Sequence, residues 1–311
     1  MRIVRYLLVV VAAALASASA VQAAGNTQDL VLKDDAKCTT CHDENDSPKV
    51  LRIGQTRHGA VADPRVQSCT GCHGASEKHI ADAEKSVKPP AIPDVAFGAR
   101  AGTPVAARNG ACLACHQGGT RIAWQTSTHA SREVACANCH KVHTAHDSVR
   151  DRTAQTETCF GCHKEQRAQV NRPSHHPVIE GKMSCSSCHN VHGDNPKQLA
   201  RASVNETCFT CHMEKRGPFV HNHQPVQEDC AICHNPHGTN AANLLKARPP
   251  FLCQECHSHT SHPSQASGLP GSRTTSTSAL GSVARGCLNC HVNIHGSNST
   301  QNSATAGRFR R

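Results

Sequence analysis

The stretch CAICHNPHG, residues 230–238, carries two cysteines separated by two residues, a histidine directly after the second, and another histidine three positions on. Its first five residues recur along the chain. They read CTTCH (Cys38, Cys41, His42), CTGCH (Cys69, Cys72, His73), CLACH (Cys112, Cys115, His116), CANCH (Cys136, Cys139, His140) and CFGCH (Cys159, Cys162, His163). Then follow CSSCH (Cys185, Cys188, His189), CFTCH (Cys208, Cys211, His212), CAICH (Cys230, Cys233, His234), CQECH (Cys253, Cys256, His257) and CLNCH (Cys287, Cys290, His291). These ten units use all 20 cysteines. C-x-x-C-H is the attachment signature of c-type haem: both thiols add to the porphyrin vinyl groups, and the histidine then reaches the iron from one face.

Other uses of cysteine pairs fit less well. Disulfides of an oxidising compartment and zinc ribbons require no histidine after the second cysteine, and a thioredoxin-like motif would occur once, near a βαβ pattern. Histidine makes up 24 of 311 residues, so its presence after all ten pairs is not accidental. The expectation is ten covalently bound haems.

Fourteen histidines remain for the opposite faces of the irons, and every interval after a motif holds one or two of them. Methionine, the alternative axial ligand, occurs beyond the initiator only as Met183 and Met213. The sequence therefore predicts bis-histidine ligation throughout, with His58, His79, His129, His143, His175, His192, His223, His237, His262 and His295 as distal ligands. His175 is preferred to His176 because aligning HHPV with HQPV sets it against His223, and His262 is taken over His259. His146, His176, His221 and His259 are left as surface or supporting residues. His237 stands too close to His234 to bend round its own porphyrin, so it is expected to serve a different haem.

Composition agrees with an interior filled by cofactors. Aromatic residues are 3% of the chain, with Trp124 the lone tryptophan. Pro and Gly interrupt most intervals and no alternating apolar run suggests a sheet. The fold class is a multihaem cytochrome c, mostly coil with short α-helices and essentially no sheet; a helix around Cys159 to Val170 is one example. The segment VKPPAIPDVAFGARAGTP reads as a loop. The formal charge of +10 offsets the haem propionates rather than marking a nucleic-acid surface.

Residues 1–23 read as a signal peptide, with Arg2 and Arg5 before the apolar run Tyr6 to Ala20 and small residues before cleavage at Ala20 or Ala23. Its loss leaves a charge of +8. Motifs begin mostly 22 to 26 residues apart, and a two-haem repeat of roughly 45 to 50 residues runs along the chain.

The ten motifs, the units ETCFGCH (157–163) and ETCFTCH (206–212), SHHPV (174–178) and the repeated CHNVHG and CHNPHG together resemble the periplasmic decahaem c-type cytochromes of the MtrA, DmsE, PioA and MtoA type. The resemblance covers nearly the whole chain after the signal; His295 departs from it by one residue, and the intervals of His58 and His79 fit the repeat poorly. It implies an elongated haem array of two pentahaem halves, here residues 24–170 and 171–296 with the division between His163 and Cys185, followed by a flexible tail at 297–311. It also implies an electron-transfer protein rather than an enzyme. Such a protein would be periplasmic and associated with the outer membrane, docked in a β-barrel porin. It would exchange electrons with a periplasmic or inner-membrane cytochrome or quinol-linked partner and with an outer-surface multihaem cytochrome. Two other classes are a soluble periplasmic shuttle and a multihaem reductase, which would need an iron with an open position. The ligand set is the same whether electrons flow outward, for metal or sulfoxide respiration, or inward, for iron(II) oxidation.

Overall fold

The computed structural model describes residues 35–60, 63, 65–98, 102–257, 287–289 and 291–300. The signal segment, Cys290, His259, His262 and residues 301–311 lie outside the described residues.

Helices are short because the sequence supplies neither length nor a continuous apolar stripe. The longest described helix, Val105–Leu113, has nine residues, and isolated helices of this length are marginal in water. The expected helix around Cys159 to Val170 is two, Gln155–Phe160 and Lys164–Val170, separated at the GCH of the motif. No described helix is long and apolar enough to cross a membrane. Strands are absent among the described residues; four isolated bridges join Ser174 to Thr239, His189 to Leu199, His221 to Ser297 and His234 to Leu245. The architecture is coil with short helices and no sheet.

Helical turns fall where the chemistry is. The first cysteines lie in Ala36–Thr39, Cys69–His73, Val105–Leu113, Cys136–Cys139, Gln155–Phe160, Cys185–Ser187, Val204–Cys208, Cys230–Ile232, Phe251–Gln254 and Cys287–Asn289. In most motifs the histidine N–H donates to the carbonyl of the first cysteine at 2.8 to 3.0 Å, as from His140 to Cys136 and from His234 to Cys230. An i to i+4 bond closes one helical turn, which puts the first cysteine and the histidine on one face.

The described residues form two compact units. One comprises those within residues 1–94 together with Val142–Ala145; the other comprises 95–141 and those beyond 145. These units follow backbone packing and differ from the pentahaem halves, which are defined by haem count. Buried apolar side chains among the described residues are few: Trp124, Ala135, Phe160, Val170, Leu199, Ala241 and Leu245. Large apolar side chains elsewhere stand exposed, Ile122 at 81% and Phe251 at 70%. Ser297, assigned by sequence to the tail, is instead 5% exposed and exchanges two main-chain hydrogen bonds with His221.

Candidate haem-ligating histidine pairs

Two loops of one design carry the even-numbered motifs six and eight. After CHN the chain turns back, so that Asn190 N–H donates to the Gln198 carbonyl and Asn235 N–H to that of Leu244. The return is made by paired left-handed residues, Lys197 and Gln198 in one loop and Asn243 and Leu244 in the other. The side chains of Asn190 and Asn235 accept from the N–H of His192 and His237, two residues on, an Asx turn that aims each second histidine away from its own motif. Gly238 is needed where the loop crosses another segment: at φ 146° a Cβ there would lie 2.1 Å from the Gln169 carbonyl oxygen.

The histidines meet in pairs. In the first unit His42 faces His79 and His73 faces His143, with ring centroids 6.2 and 6.1 Å apart. In the second unit His140 faces His192, His163 faces His129, His189 faces His237, His212 faces His176, His234 faces His295 and His257 faces His223, all at 6.0 to 6.4 Å. At that spacing the rings do not touch. Two imidazoles bound to one metal through about 2.0 Å bonds leave their centroids about 6.2 Å apart. The recurrence of that span in eight pairs fits an iron between each pair of rings.

The pairing has a register. His129, His176 and His223, which follow odd-numbered motifs, face the motif histidine two motifs downstream. His143, His192, His237 and His295, which follow even-numbered motifs, face the one two motifs upstream. His237 therefore stands opposite His189, not His234. His79 serves the first motif.

One expectation is corrected. The ring opposite His212 is that of His176, while His175 gives its Nε2 to Glu180 at 2.9 Å. The bridges explain the error: Ser174 pairs with Thr239 as His221 pairs with Ser297, so His176 is equivalent to His223. Gln224 is an inserted residue that the HHPV and HQPV alignment hides. Glu180 raises the His175 imidazole above its ordinary value, favouring a charged ring rather than a metal ligand. His58 sits on the turn Arg57–Gly59 with its N–H donating to Thr56. His262 lies outside the described residues.

The other ring nitrogen of these histidines is committed too. Nδ1 of His79 donates to the Ala91 carbonyl at 2.6 Å, His143 to Val50 at 2.7 Å, His129 to Val191 at 3.1 Å and His176 to Pro236 at 2.8 Å. A carbonyl can only accept, so Nδ1 carries the proton and Nε2 keeps its lone pair for a metal. Burial also lowers the pKa of His192, His223, His237 and His295 from the usual imidazole value, which favours the neutral, ligating form. Trp124 packs 5.9 Å from His192 and is itself 8% exposed.

The thiols approach in a matching order. Cys38 hydrogen-bonds with Cys69, Cys112 with Cys136, Cys159 with Cys185, Cys208 with Cys230 and Cys253 with Cys287. Between these pairs the second cysteines come near one another, Cys139 to Cys162, Cys188 to Cys211 and Cys233 to Cys256. Motifs adjacent in sequence are thus adjacent in space within the second unit from the third to the tenth.

A set of supports escaped sequence reasoning. Asp35, Asn109 and Asn205 are buried, each three residues before the first cysteine of an odd motif, and their side-chain oxygens accept from the N–H of Cys69, Cys136 and Cys230. Each clamps one motif to the next. The repeated short polar residue at that offset was the available signal, but Asp and Asn are common in loops for unrelated reasons.

Comparison with known proteins points to haem c on the CxxCH motifs. A family model described as a doubled CXXCH motif matches residues 175–217 and 223–262, and one described as cytochrome c-type protein NrfB-like matches 69–153. The multiheme cytochrome MtrA of Shewanella baltica is 39% identical over 270 residues, covering 84% of this chain and 78% of that protein. The cytochrome c-type protein NrfB of Escherichia coli is 26% identical over 154 residues, 47% of this chain and 74% of that protein.

Proposed function

Because the chain belongs to the MtrA family of multihaem cytochromes, we propose that it is a decahaem conduit carrying electrons between the periplasm and the cell exterior through an outer-membrane β-barrel porin. Membership makes it an electron-transfer protein with haem c on its CxxCH motifs rather than an enzyme. Bound haem supplies a one-electron iron couple, and where two histidines hold the iron no position stays open for substrate.

The observation that carries the proposal is the interleaved pairing of histidines. Among the eight facing pairs, every distal histidine but His79 comes from a loop two motifs away from the motif it faces, so the loops that would ligate also tie neighbouring motifs together. The alternating thiol approaches put neighbouring motifs beside one another along the second unit. Ten irons held this way, five on each pentahaem half, would be spaced for electron hopping. Lys and Arg in excess would balance the propionates.

The electron partners would be a periplasmic or inner-membrane cytochrome or quinol-linked protein on one side and an outer-surface multihaem cytochrome on the other. The test is reconstitution: the protein and its co-purifying barrel in liposomes should reduce an enclosed acceptor when a membrane-impermeant donor is added outside. Transfer to partners in solution without transfer across the bilayer would establish a periplasmic shuttle instead.

A further inference from the structure

We propose that Asp147 is a positioning residue that lowers the reduction potential of the haem bound by CANCH, making it an uphill step for electrons in the array. The idea rests on the ligation proposed above, with His140 and His192 as axial ligands of that haem.

Nδ1 of His140 donates to Asp147 Oδ2 at 2.7 Å. The other carboxylate oxygen, Oδ1, accepts from Lys141 N–H at 3.2 Å, and the Asp147 carbonyl accepts from Arg150 N–H. The carboxylate is therefore held from two sides, and its side chain is 17% exposed. The equivalent histidines of the sixth and eighth motifs use neutral acceptors: His189 donates to the Lys197 carbonyl at 3.1 Å and His234 to the Asn243 carbonyl at 2.8 Å. His42 has the Ser47 hydroxyl at 3.2 Å. At His212 a carboxylate also approaches, but Glu214 stands 3.7 Å away and both side chains are more than half exposed.

A carboxylate pulls the Nδ1 proton more strongly than a carbonyl does, leaving more electron density on Nε2. That density stabilises ferric over ferrous iron, because the extra electron of the reduced state adds to a site already rich in charge. The position matters. CANCH adjoins CLACH through Cys112 and Cys136 and CFGCH through Cys139 and Cys162. A haem of lowered potential at this place would be an uphill step for an electron passing in either direction along the array.

The test is Asp147→Asn in the haem-loaded protein, followed by potentiometric titration monitored by low-spin ferric EPR. One haem of the set should become easier to reduce, with its ferric-to-ferrous ratio at fixed potential falling about tenfold, ~59 mV for one electron. Its EPR signal should move while the other signals stay in place, and Asp147→Glu should restore most of the shift. Superimposable titrations of the Asn variant and the unsubstituted protein overturn the proposal. If the Asn variant fails to take up haem, the fully reduced, diamagnetic protein labelled with 15N-histidine decides the matter. One axial Nδ1 set apart from the rest is expected, and no such outlier overturns it. His192→Ala separates the two layers: a new high-spin ferric signal upholds the ligation even if Asp147 proves inert, whereas an unchanged low-spin spectrum removes the ligation itself.

Discussion

At the residue scale the informative choice is between two adjacent histidines. His176→Ala should convert one haem to a high-spin ferric species visible by EPR, whereas His175→Ala should leave the low-spin spectrum intact. The reverse outcome would contradict the facing of His176 and His212. A second expectation follows from ring angles. The planes of His189 and His237 lie within 17° of each other, and those of His129 and His163 are 84° apart. Near-parallel axial imidazoles split the iron d orbitals rhombically and near-perpendicular ones leave them almost degenerate. His129→Ala should therefore remove a highly anisotropic low-spin signal, and His237→Ala a rhombic one. At this scale the sequence was most legible where chemistry restricts residue type: each CxxCH unit announces its own ligand. It was least legible where geometry chooses between like residues. Nothing in SHHPV tells which ring turns inward, because the choice depends on the bridge between Ser174 and Thr239, which are far apart in sequence.

Among elements, the clamps and loop crossings hold the sites in place. Asn205 is 8% exposed, accepts from Cys230 N–H and donates to the carbonyls of Val226 and Gln227. Asn205→Ala removes the partner of these part-buried groups and should cost about 1–2 kcal/mol, read as a lower thermal midpoint of the haem-loaded protein; an unchanged midpoint would deny it a clamping role. Gly238→Ala should be worse than a surface change of the same size, because its Cβ would collide with main chain rather than with a movable side chain. Loss of native absorbance on mild heating, with Pro236→Ala two residues earlier tolerated, is the expected pattern. The absence of sheet was readable from the lack of alternation, and short helices from the Pro and Gly content. The two-loop design around Asn190 and Asn235 was visible only as a repeated CHNxHG, since the left-handed residues that close it, such as Lys197 and Leu244, carry no glycine to mark them.

For the whole molecule, the shortage of buried apolar side chains sets the dependence on cofactor. The described helices, of nine residues or fewer, cannot sustain themselves, and seven buried apolar side chains are a small core for the described residues. Chain made without haem attachment should show little helix by circular dichroism and be cleaved rapidly by protease; a protease-resistant, helical apoprotein would contradict that dependence. The central claim is that every iron is closed off by two histidines, which is what makes the array carry electrons rather than act on a substrate. The most direct measurement is quantitative EPR of the fully oxidised protein, with haem number fixed by intact mass. The account predicts ten haems per chain and ferric signals that are all low-spin; a substantial high-spin ferric component in the native protein would contradict it.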